Sequence, residues 1–216
     1  METIFHFILH PKEDLSTIIN LYHTTTYLIL FAIIFAETGL IVAPFLPGDS
    51  LLFAAGALMA PPNTTGLDIW IMGLILIVAA FAGNTVNYLV GNYLGPKVFK
   101  PENRILKLDY YLRTKAFFDK HGGKAVILSR FMPIIRTIAP FVAGVGRMGF
   151  LRYSIYNIIG GASWIALFLF AGYQLGKIDF FQKHFSLVGI VIIIISLLPP
   201  IIAGISNRSN KSASAN

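Results

Sequence analysis

The sequence predicts an all-α, polytopic transmembrane protein, and three observations carry that prediction. Hydrophobic residues make up 56% of the 216 positions and charged residues 12%, with a mean hydropathy of +0.71. That is too apolar for a soluble domain of this length. The apolar residues also gather into stretches that approach or exceed the roughly 20 helical residues needed to cross a hydrocarbon core. Finally, Lys97, Lys100, Arg104, Lys107, Arg113, Lys115, Lys120 and Lys124 crowd into one interval between apolar segments. The positive-inside rule places such an interval on the cytoplasmic face, near anionic lipid. This clustering accounts for the net charge of +7 without nucleic acid as a partner.

Taken in order, residues 1–26 form an amphipathic N-terminal helix. Leu15, Ile18, Ile19 and Tyr22 share one face of it, which suits the membrane surface. No Lys or Arg precedes Lys12, so the basic n-region of a cleaved signal peptide is missing and the first apolar segment is expected to remain. Residues 27–47 begin as a spanning stretch, meet Glu37, and run into Pro44-Phe45-Leu46-Pro47-Gly48-Asp49 before another apolar run to Ala60. Prolines break the helix there. Irregular backbone is tolerated in a bilayer only where protein or a water-filled cavity covers it, so residues 44–60 are expected to form a re-entrant hairpin. A turn follows at 61–66. Residues 69–91 give the cleanest span, with Trp70 and Tyr93 at its two interfaces.

The basic segment 95–124 follows, with a helix expected over 104–120 although its apolar residues share no single face. Residues 125–146 contain Arg130, Pro133, Arg136 and Pro140. A straight span would leave two guanidinium groups and two proline-broken backbone sites in lipid, so a second re-entrant hairpin is expected. Residues 153–176 and 185–205 are further spans, and 207–216, rich in Ser and Asn, form a disordered tail. The charge–proline pattern before Ala55-Gly56 repeats before Ala143-Gly144. Interrupted apolar segments at matching places in two halves point to a midplane site in an inverted-repeat transporter. If each hairpin returns to the side it entered from, the two are opposed and both termini are cytoplasmic.

Four charged residues inside apolar segments need partners and a reason, since each costs a few kcal/mol at the bilayer centre. Glu37 and Asp49 could pair with Arg130 and Arg136 simply to hold two hairpins together, but buried ion pairs are a poor route to stability. The functional reading is that Pro133 disrupts the helix between Arg130 and Arg136, so that both guanidiniums can converge on one anion. Their planar forks suit phosphate, and half-helix N-termini would add N–H donors. The implied ligand is a lipid phosphate headgroup. Burial favours a neutral carboxyl and a nearby arginine favours the carboxylate, so Glu37 and Asp49 could take up and release protons.

Asn84 reads as a helix–helix hydrogen bond, Gly91/Gly95 and Gly172/Gly176 as close helix contacts, Trp164 as core packing, and Asn157 as ambiguous. Enzymatic chemistry is not expected. No histidine accompanies the arginines, as a phosphatase would need, and Ser163 lacks an evident partner. The five histidines have no metal-ligand spacing and there is no cysteine, so neither a metal nor another cofactor is expected.

Glu37 with Pro44-Phe45-Leu46-Pro47-Gly48-Asp49 and Ala55-Gly56, then Arg130-Phe131-Met132-Pro133-Ile134-Ile135-Arg136-Thr137 with Ala143-Gly144, resembles the DedA family (SNARE-associated or VTT domain). Tyr156-Asn157, Gly160, Ala162, Trp164, Gly172-Tyr173 and Gly176 extend the likeness. The resemblance implies a single membrane domain over residues 1–206 with opposed re-entrant hairpins. It implies a bacterial inner-membrane flippase that returns undecaprenyl phosphate to the cytoplasmic leaflet with help from the proton motive force. Phospholipid scrambling, as in eukaryotic relatives, is the alternative, and a membrane scaffold with structural ion pairs is a third reading. By the same resemblance Glu37 and Asp49 couple protons, Arg130 and Arg136 bind the phosphate, and Asn84, Asn157, Thr137 and Gly48 support them. Gly83-Asn84 departs from the Gly-Asp often found in the family, so the resemblance carries no protonatable role to Asn84. The expected partners are an anionic lipid, protons and the surrounding membrane lipids; an oligomer is compatible with the sequence.

Overall fold

The computed structural model describes residues 23–40, 48–61, 65–94 and 108–178. Most of the N-terminal helix, the motif residues 41–47, the start of the basic segment, the apolar stretch 185–205 and the tail lie outside them. Among the described residues every regular element is helical. A 3-10 turn at His23–Thr25 leads into α1 (Thr26–Gly39), followed by α2 (Gly48–Leu58), α3 (Ile69–Leu94), α4 (Leu108–His121), α5 (Ala125–Ser129), α6 (Pro133–Val145) and α7 (Phe150–Leu175). The element expected to run to residue 26 thus gives way to a turn and then to α1.

Length separates these helices into two kinds. At 1.5 Å per residue, the 26 residues of α3 and of α7 extend about 39 Å, more than a hydrocarbon core of about 30 Å. The 11 residues of α2 and 13 of α6 extend about 17–20 Å and cannot cross one. The outer faces of the long helices are apolar, with Leu74, Val86, Leu89, Leu151, Ile158 and Leu167 exposed. Such a surface suits lipid better than water.

Local chemistry sets the helix ends. Asp68 caps α3, its Oδ1 accepting the N–H groups of Trp70 at 2.7 Å and Ile71 at 3.0 Å, as a side-chain N-cap should. Its own N–H donates to the Tyr27 hydroxyl at 2.7 Å, which ties the start of α1 to the start of α3. The first helix stops at Gly39, earlier than the expected break at Pro44: Leu40 donates to Ala36 O at 2.9 Å and turns extended. In the second interrupted segment the break comes at Arg130–Met132, immediately before Pro133. Pro133 opens α6, where its missing N–H costs nothing. The second expected break does not occur. Pro140 sits buried inside α6 and only deprives the carbonyl four residues back, at Arg136, of a helical donor.

The helices meet through backbone. An ideal Cβ on Gly56 of α2 would collide with the Leu169 carbonyl oxygen of α7, and one on Gly172 of α7 with that of Phe53 in α2. Between α3 and α6 the contact is the same: a Cβ on Gly144 would strike the Tyr88 carbonyl oxygen, and one on Gly91 that of Phe141. In all four cases the carbonyl belongs to the residue three before the opposing glycine. Glycine permits this approach because it has no side chain to hold the backbones apart. Helix α1 packs on α3 by a related contact, with a Cβ on Gly39 reaching 3.1 Å from the Gly83 Cα. The main apolar core, which includes Leu30, Ile34, Leu51, Phe53, Leu76 and Trp164, fills the space among α1, α2, α3 and α7.

Candidate functional site

The two interrupted segments bring their charges together inside this packing. Glu37 lies in the last turn of α1 and is 2% exposed; Asp49 lies in the first turn of α2. Arg136, in the first full turn of α6, reaches both. Its Nη2 donates to Glu37 Oε1 at 2.8 Å and its Nη1 to Asp49 Oδ1 at 2.6 Å. One guanidinium therefore spreads its fork across two carboxylates from two other helices. Of the structural pairing weighed in the sequence, two acids with two arginines, the Arg136 half is present as a triad that takes both acids.

Arg130 takes another partner. It sits in the turn between α5 and α6, 2% exposed, and its Nη2 donates to Asn157 Oδ1 on α7. Its stem runs beside Gly160, where a Cβ would stand 3.2 Å from Arg130 Cγ, and its Nη2 lies beside Gly161. Asn157 Oδ1 also accepts from Asn84 Nδ2 at 3.1 Å, and Asn157 Nδ2 donates to Phe81 O at 3.3 Å. Asn84 is thus the helix–helix hydrogen bond that the sequence suggests, joining α3 to α7. The Tyr153 hydroxyl extends this polar chain to Asn84 O at 2.8 Å, and its ring stacks on Tyr88 at 4.3 Å between centroids. Thr137 is buried, and its carbonyl accepts from Asn87 Nδ2 at 2.9 Å. Gly48 stands directly against Glu37, leaving no room for a Cβ beside Oε2.

Two charged groups are left incompletely satisfied. Glu37 Oε2 and Arg130 Nη1 are buried with no hydrogen-bond partner among the described residues. A buried, unpaired portion of an ion is costly, which marks both atoms as places where a ligand, a proton or water would be favourable.

Sequence reasoning missed the part played by Trp164. It is fully buried, as core packing requires, but its indole Nε1–H donates to Asp49 Oδ1 at 2.8 Å and its ring lies 5.0 Å from the Arg136 guanidinium carbon. A signal existed. Buried indoles seek an acceptor, and Trp164 follows Asn157 by seven residues, two helical turns, so both face the same way. The residues an enzymatic reading would recruit are engaged within their own helices. Ser163 Oγ donates to Ile159 O at 2.7 Å, and a ring nitrogen of His121 lies 3.0 Å from Phe117 O.

Two apolar helices long enough to span a bilayer, with a buried charge cluster at the ends of shorter helices, fit a helical membrane protein. Comparison with known proteins says which kind. The family model of the VTT domain matches residues 46–174. The chain is 45% identical over 206 residues to Protein DedA of Escherichia coli (strain K12), covering 95% of this chain and 94% of that one. It is 40% identical over 184 residues to an uncharacterized membrane protein of Mycobacterium leprae, covering 85% and 81%. With the inner membrane protein YghB of Escherichia coli (strain K12) it shares 36% identity over 162 residues, covering 74% and 73%. No solved structure matches it. The chain belongs to the DedA family of membrane proteins.

Proposed function

We propose that this protein is a carrier that moves an anionic lipid, undecaprenyl phosphate, to the cytoplasmic leaflet of a bacterial inner membrane, coupled to the proton motive force. The observation that carries the reading is the arrangement around Arg136: one guanidinium shared by two carboxylates, of which the buried Glu37 keeps an unpartnered oxygen. A phosphate that reaches Arg136 competes with those carboxylates. Protonating Glu37 would weaken its hold on Nη2 and release a donor for the phosphate, so proton and anion would load together. Arg130 Nη1, also unpartnered, supplies a second donor of the same chemistry. The apolar faces of α3 and α7 suit the lipid chains.

A second reading has its own support. Arg136 already has a carboxylate at each Nη, which is what a purely structural ion triad in a membrane scaffold would look like. A leaflet-resolved assay in proteoliposomes separates the possibilities, comparing polyprenyl phosphate with ordinary phospholipid with and without an imposed pH gradient. Gradient-dependent movement of the polyprenyl phosphate is the expected result. Equal, gradient-independent movement of both lipids identifies a scramblase. No movement of either by folded protein favours the scaffold.

A further inference from the structure

The two acids at Arg136 are not equivalent. Asp49 Oδ1 accepts two donors, Arg136 Nη1 at 2.6 Å and Trp164 Nε1 at 2.8 Å, and Asp49 lies in the first turn of α2, where the helix dipole favours negative charge. Glu37 accepts one, Arg136 Nη2 at 2.8 Å, and its Oε2 has no partner among the described residues. It lies in the last turn of α1, where the dipole opposes negative charge. Donors that hold a carboxylate favour its ionised form. Protonating Asp49 would weaken contacts with a guanidinium and an indole, whereas protonating Glu37 would weaken one contact with a guanidinium.

We infer that the Trp164 indole fixes Asp49 as the permanent counterion of Arg136, so that Glu37 is the carboxyl that exchanges a proton. Trp164 acts through Asp49 and is a positioning residue. Gly48 contributes by what it lacks, since its missing Cβ leaves the space that Glu37 Oε2 occupies. The charged groups facing Glu37 are Arg136 from α6, Asp49 from α2 and Arg130 from the α5–α6 turn, and α3, packed along α1, carries no acidic or basic residue. Binding converts one carboxylate and one solvent proton into a neutral acid, and no other bond changes. The inference rests on the proton-coupled reading above and divides its labour between the two acids.

Infrared difference spectroscopy of the full-length protein in lipid vesicles, stepped through pH, reads the protonated-carboxyl stretch directly. In the wild type we expect a buried-carboxyl band that disappears in Glu37→Gln and persists in Asp49→Asn. Trp164→Phe keeps a ring over Arg136 and removes the N–H, so Asp49 loses one of the donors that hold it and the protonated-carboxyl band should grow. Three results overturn the inference: no buried-carboxyl band in the wild type, a band that survives Glu37→Gln but vanishes in Asp49→Asn, or a Trp164→Phe profile identical to wild type. If Trp164→Phe cannot be recovered folded, the two acid variants decide the assignment with the tryptophan in place. The measurement requires no lipid movement. A Glu37 band in a protein that moves no lipid would therefore sink the carrier and leave the assignment standing.

Discussion

Arg136 and Glu37 stand 99 residues apart in the chain and 2.8 Å apart in space, and their contact ties the start of α6 to the end of α1. Because the same guanidinium also holds Asp49, Arg136→Ala strands two carboxylates in the interior. Breaking a buried pair from one side costs about 3–5 kcal/mol, so the melting temperature of the purified protein should fall sharply. Adding Glu37→Gln and Asp49→Asn to that variant should restore part of the loss. A melt unchanged by Arg136→Ala would show that the triad contributes little to the fold.

Arg130 separates phosphate recognition from structural pairing more cleanly than Arg136. A lysine at 136 has one nitrogen in place of the two that reach Glu37 and Asp49, so both readings predict damage there. Arg130 donates to a neutral asparagine and keeps an unpartnered Nη1. Arg130→Lys should therefore leave thermal stability nearly intact while weakening binding of a lipid phosphate, because it removes the bidentate fork. Wild-type affinity in that variant would rule out a phosphate fork at Arg130.

Glu37→Gln and Asp49→Asn should both insert and accumulate, since a neutral amide is cheaper than a charge within the bilayer. Both should lose gradient-dependent transport in proteoliposomes. Wild-type coupling in the two variants would detach these acids from proton movement.

The glycine contacts predict a sharp positional contrast. Gly56→Ala and Gly144→Ala each force a methyl into an opposing carbonyl and should destabilise by about 1–3 kcal/mol, as overpacking does. At Gly149 a Cβ meets nothing within 4 Å, so Gly149→Ala should melt like the wild type. Equal melts for all three would mean that the helices have room to separate.

Orientation can be tested with single cysteines, since the chain has none of its own. Residues 97–124 and both termini should be cytoplasmic, with 61–66 and 177–183 facing outward. Labelling of the 97–124 segment by an impermeant thiol reagent added to intact cells would invert the topology.

What could be read from the sequence was what depends on near neighbours. The two long spans, expected at 69–91 and 153–176, are found at Ile69–Leu94 and Phe150–Leu175, because about 20 contiguous apolar residues leave little alternative. The break before Pro133 was legible for the same local reason. Pro140 misled, since tertiary packing holds it within a helix despite the lost donor. The four charged residues were found by their cost in lipid, and pairing of the acids with arginine was among the readings, but that Arg136 takes both acids and Arg130 neither was not legible. Whether Arg130 turns to an acid or to Asn157 depends on which face of α7 lies opposite, a fact 27 residues away. Trp164 was read only in part, because an apolar ring and an N–H donor share one side chain, and periodicity reports only the ring.

The matched glycine contacts also bear on how the site is held. Joints made of backbone have no rotamers to give way, so neither α2 against α7 nor α3 against α6 can slide by repacking a side chain. Asp49 and Trp164 belong to the first pair, Arg136 to the second. The contact between Arg136 and Asp49 is therefore a rivet between two fixed joints, and the Asn84–Asn157 hydrogen bond is another.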